Sequence, residues 1–153
     1  MWKWVDTMPR LWNRTPELLF KQSVHGNKLE TFHQMCDNQC RTLFLATLED
    51  DSIVGAFVSI PIRSGGNTWF DGSDAFIFTY KNSEIRFFDR KQNPWDDGHV
   101  GMGKSMCIAV GRGIDYQIDL SKMLLLSTSS AYDPLPIFAT NPLKDVEVYC
   151  FKW

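Results

Sequence analysis

The chain has 153 residues, 44% hydrophobic and 22% charged, with a formal net charge of −2. That length sets a single domain spanning 1–153 as the expectation, and the charge excludes a general nucleic-acid binder, which carries a basic excess. No apolar run approaches the roughly 18 residues of a membrane span, no leader-like apolar stretch opens the chain, and the four cysteines are too scattered for a disulfide framework. Reduced thiols and a cytoplasmic location are therefore expected.

Eleven Phe and six Trp favour strands over helices. Residues 1–14 read as an N-terminal arm. Trp2 and Trp4 share one face if it is extended, and either pack on the domain or offer an aromatic contact to a partner. Thr15-Pro16-Glu17 has the form of a helix start, yet the following LLFKQSV also reads as a strand. The pattern leaves both open, and His25-Gly26 ends the segment. Asn27, with Glu30 three residues on, predicts a capped helix over 28–36. Leu29, Phe32, His33 and Cys36 fall on its apolar face.

The stretch 43–61, LFLATLEDDSIVGAFVSIP, is the centre of the pattern. Two runs, apolar on nearly both sides, flank Glu49-Asp50-Asp51-Ser52, which predicts two central strands joined by a hairpin. Gly55 weakens such a strand unless something packs on its backbone; the 28–36 helix is the expected neighbour. Further strands are predicted at 75–80, 84–89, 106–110, within 116–126 and at 146–151. Residues 90–103, including Trp95, read as a loop. Short strands, frequent turns and few helices predict a mainly β fold of the α+β class: a two-sheet antiparallel β-sandwich flanked by a few short helices.

The motifs and their order resemble the TLDc domain of the oxidation-resistance protein family. Leu18-Leu19-Phe20-Lys21 with Ser23-Val24-His25-Gly26 is similar to its LLY…(D/H)G opening. Thr31-Phe32-His33 with Cys36-Asp37-Asn38 is similar to its first-helix motif. Val54-Gly55-Ala56-Phe57 resembles its VFGAF strand, Ala75-Phe76-Ile77-Phe78 its FLF strand, and Glu147-Val148-Tyr149 with Phe151 its terminal EVW.F. The opening motif especially resembles interferon-induced relatives, in which a GTPase domain follows; these 153 residues hold none. The resemblance implies a β-sandwich with helices, protection against oxidative stress and, in several members, binding to the vacuolar proton-pumping ATPase. It carries no settled catalytic mechanism. The chain departs from the family pattern at Gly98-His99-Val100-Gly101-Met102-Gly103 and at Ala131-Tyr132-Asp133-Pro134.

Chemistry-bearing patterns are sparse. Gly98 to Ser105 fits G-x4-G-K-[ST]. A phosphate loop, however, leaves a buried strand and opens a helix whose amides face the phosphates. Here a polar segment precedes it and the apolar run 106–110 follows it, so nucleotide binding stands as a remote alternative. His33, Cys36 and Cys40 are three ligand types without a zinc knuckle's paired spacing; the helix's apolar face accounts for the first two. Asp50-Asp51 and Asp96-Asp97 sit in turns as solvated carboxylates. No metal, cofactor or catalytic residue is assigned. The expectation is a non-catalytic interaction domain whose partner is another protein, with the soluble sector of the vacuolar pump the one implied by the resemblance. His25, Gly26, Cys36, Gly55, Phe57, Glu147 and Phe151 are its family-motif positions; Trp2, Trp4 and Trp95 are candidate partner contacts. A thiol-dependent antioxidant enzyme using Cys36 or Cys107 is the alternative.

Overall fold

The computed structural model describes residues 15–39, 41–58, 76–88, 98–100, 106–110, 116–127 and 140–151. In chain order these form β1 (Pro16–Lys21), α1 (Gln22–His25), α2 (Leu29–Cys36), β2 (Thr42–Leu48), β3 (Ile53–Val58), β4 (Phe76–Lys81) and β5 (Glu84–Phe88). There follow β6 (Gly98–Val100), β7 (Met106–Val110), β8 (Tyr116–Asp119), β9 (Leu124–Ser127) and β10 (Thr140–Phe151). The mainly β, antiparallel fold with short helices read from the sequence is the fold of the chain. Expected sites at Trp2, Trp4 and Trp95 lie outside the described residues, as does the 1–14 arm.

The strands pair in the order β5-β4-β3-β2-β10-β9-β8-β7-β6, with β1 on the free side of β10. Strand β10 joins the two sets. Its first residues, Thr140 to Pro142, pair with Leu126 to Leu124 of β9; from Leu143 onward it pairs with β2, and from Glu147 to Phe151 also with β1. The changeover falls at Pro142 and an irregularity between Leu143 and Asp145. Proline has no N–H for a ladder, so it belongs at such a break. Its carbonyl still accepts from Glu49 N at 3.3 Å.

The central position of β2 explains its doubly apolar sequence. Phe44, Ala46 and Leu48 face one core with Val54, Ala56, Val146 and Val148, joined by Phe32 and Cys36 of α2 and by Ile118 and Leu125 of β8 and β9. Leu43 and Leu45 face a second core with Phe57, Phe78 and Phe151. A strand buried on both faces must be apolar on both. The Thr42 hydroxyl, wholly buried beside Cys150, has no hydrogen-bond partner among the described residues.

Several local expectations change. The ambiguous segment after Thr15 is a strand, because its backbone completes the ladder on β10. Helix α2 forms with Phe32 and Cys36 buried, but Lys28 occupies its N-cap without a side-chain bond. Asn27 instead donates through Nδ2 to Ser121 O at 3.3 Å, so a contact distant in sequence replaces the predicted cap. Residues 98–100, predicted as loop, form β6 against Ile108 to Val110 of β7. Asn82 and Ser83 have φ of 53° and 61°, the positive pair a two-residue hairpin turn needs between β4 and β5.

Candidate functional site

A polar seam lies where β1, α1 and β10 meet. Asp145 Oδ1 accepts from Ser23 N at 3.1 Å and from Val146 N at 2.9 Å, and its Oδ2 accepts from Ser23 Oγ at 2.8 Å. Lys21 Nζ stands 3.8 Å from Asp145 Oδ2 and 3.7 Å from Glu147 Oε1. The Tyr149 hydroxyl donates to Glu147 Oε2. Burial, and then that carboxylate, push the Tyr149 phenol well above its ordinary pKa. His25 closes the seam. Its Nδ1 accepts the Lys21 N–H at 2.9 Å, and its ring stacks on Phe20 at 5.8 Å. An accepting Nδ1 carries no proton, so the neutral ring holds its hydrogen on Nε2. Gly26 follows with φ +89° and donates to Gln22 O at 2.9 Å. Nothing lies within 4 Å of a Cβ built there, so glycine is used for conformation rather than space. These groups satisfy one another and hold α1 to the sheet.

The other family-motif residues are in the two cores. Phe57 and Phe151 belong to the same buried cluster. A Cβ built on Gly55 would sit 2.7 Å from Cε2 of the Phe78 ring and nearer still to its Cζ. The expected close packing is present, but the neighbour is β4 and not the α2 helix. Cross-strand pairing sets Gly55 directly opposite Phe78, and the ring covers the bare backbone. Cys36 is wholly buried. Burial first, and Asp37 second, push its thiol pKa up, away from the thiolate that reacts. His33 Nδ1 lies 2.8 Å from Asp37 Oδ1, so this ring is tied to the helix end. Cys40 and the Cys107 side chain lie outside what is described. Cys150 is disulfide-bonded, which corrects the expectation that all four thiols are reduced.

The glycine-rich segment lacks the phosphate-loop context. Gly98 to Val100 is a strand antiparallel to β7, so the run after Ser105 is a strand rather than a helix offering amides to a phosphate.

Sequence reasoning missed an open cleft of about 310 Å³ at the turn end of β2 and β3. Leu48 and Val54 contribute its apolar wall, and Glu49, Asp50, Thr79 and Lys81 its polar one. Asp50 accepts from the Ser52 hydroxyl and from Ser52 N at 3.0 Å, and lies 3.6 Å from Lys81 Nζ. These bonds hold its carboxyl below the usual range. Asp51 leaves the cleft to pair with Lys144 at 2.7 Å. The cleft draws on β2, β4 and β10, three segments far apart in sequence, so no local spacing announces it.

The ordered motifs, the central hairpin with its covered glycine and the terminal Glu147–Phe151 strand now stand in one fold. The family model for the TLDc domain matches residues 5–152, and the chain belongs to that family. No curated protein matches the chain.

Proposed function

We propose that the chain is a non-catalytic, protein-binding TLDc domain with a role in protection against oxidative stress. We further propose that it acts in the cytoplasm on the soluble sector of the vacuolar proton-pumping ATPase. One observation carries the non-catalytic reading: the family-motif residues are consumed in building the scaffold. Gly55 lies beneath Phe78, Phe57 and Phe151 fill a core, and Glu147 is engaged by Lys21 and Tyr149. A reacting centre needs a nucleophile or acid–base group facing a space that admits substrate; these residues offer none.

The pump as partner rests on family resemblance. Purified soluble sector, passed over the immobilised chain at physiological salt, should be retained; absence of retention removes the pump from the proposal. The rival reading, a thiol peroxidase, meets a buried Cys36 whose pKa is raised rather than lowered. Peroxide turnover that disappears in Cys36→Ser or Cys107→Ser would establish the rival.

A further inference from the structure

We propose that the cleft between the β2–β3 turn and the end of β4 receives an arginine side chain of a partner protein. The inference rests on the protein-binding reading and deepens it by naming what is bound. Three observations converge. First, the charged lining is two carboxylates, Glu49 and Asp50, against one ammonium, Lys81. Lys81 is drawn to Asp50 at 3.6 Å, while the Glu49 carboxylate, whose charge acts on Lys144, makes no side-chain hydrogen bond or ion pair among the described residues. The cleft thus offers one carboxylate with open acceptor positions.

Second, Thr79 is a polar residue only 6% exposed that lines the cleft. Its hydroxyl makes no hydrogen bond among the described residues. This hydroxyl is not sealed off: among the described residues only Thr42 Oγ1 is buried without a partner, so Thr79 Oγ1 keeps access to the cleft, where a ligand donor can reach it. Third, Leu48 and Val54 give the same cleft an apolar wall. One side chain meets all three. Arginine carries an aliphatic stem for the wall, a planar fork of donors for the carboxylate and further N–H groups for the hydroxyl. A lysine ammonium is a compact, strongly hydrated charge that suits dispersed acceptors less well. An acidic ligand would face Glu49.

The test uses N-acetyl-arginine N-methylamide as probe and the citrulline analogue, of the same shape without the charge, as control. Binding is followed on the intact chain by amide NMR. The arginine probe should shift the Leu48, Val54 and Thr79 resonances saturably, with a Kd of about 1–10 mM. The citrulline analogue and the Glu49→Gln variant should each bind at least about tenfold more weakly, the effect of losing one charge-assisted contact. Thr79→Val, which keeps the shape, should weaken binding by a smaller factor. Equal binding of the two probes, or an unchanged Kd in Glu49→Gln, overturns the assignment. The probe experiment contains no partner protein, so its failure is separate from failure to retain the pump sector.

Discussion

Gly55 shows how one residue can carry a strand pairing. The Phe78 ring lies where any side chain at 55 would begin, and Phe78 is itself wholly buried in the second core. An aromatic ring covering a cross-strand glycine keeps water from a backbone that has no side chain of its own. Gly55→Val must displace that ring into neighbours already in contact. Overpacking of this kind costs typically 1–3 kcal/mol, and the Gly55→Val variant should lose about 3 kcal/mol in urea unfolding. In a Phe78→Ala background the same valine should cost clearly less, since the obstacle is gone; equal costs in the two backgrounds would show that the ring is not the cause. The sequence made Gly55 legible as a site of close approach. It could not name Phe78, because the opposing residue is fixed by strand register and not by proximity along the chain.

At the scale of elements, α1 is four residues long and buries none of them. A helix so short has no stability of its own; its attachment must come from outside. Asp145 supplies it, binding both the amide and the hydroxyl of Ser23 across 122 positions of sequence. Asp145→Ala leaves those donors to water and releases Lys21 from one of its two carboxylates. We expect a loss of about 1–2 kcal/mol, with hydrogen exchange accelerated at residues 21–26 and not in β2 or β3. Uniform acceleration through the sheet would contradict this. Helix α2 teaches the same lesson from the other side. Its apolar face was legible because Phe32 and Cys36 obey helical spacing. Its start was not legible, because Asn27 donates instead to Ser121 O, on a turn that only folding brings near.

At the scale of the whole molecule, the turns contribute a pH dependence. The carboxyls of Asp50 and Asp119 lie below their ordinary value of 3.8, chiefly because the hydroxyls of Ser52 and Ser121 donate to them. A carboxyl whose folded pKa is depressed adds stability that is full above its unfolded pKa and is lost as pH falls through the folded one. Asp50 is exposed and Asp119 only half-buried, so solvent screening keeps the effect small. The urea midpoint should fall as pH drops below about 4, and an Asp50→Asn, Asp119→Asn double variant should fall less over the same interval; parallel curves would remove these turns as the source.

The sequence by itself determined most of the strands, though not β1, β6 or the first half of β10, together with α2, the doubly buried hairpin and the family, since periodicity, turn residues and motif order are local properties of the chain. It also determined that Cys36 belongs to an apolar helix face and that the glycine-rich segment is followed by a strand. Tertiary structure alone decided which residues meet: Phe78 on Gly55, Asp145 on Ser23, and Glu49 with Thr79 around one cleft. The physical reason is that register and strand order are set by the summed burial of many side chains across the sheet. A site assembled from β2, β4 and β10 therefore leaves no spacing in the chain by which it could be read.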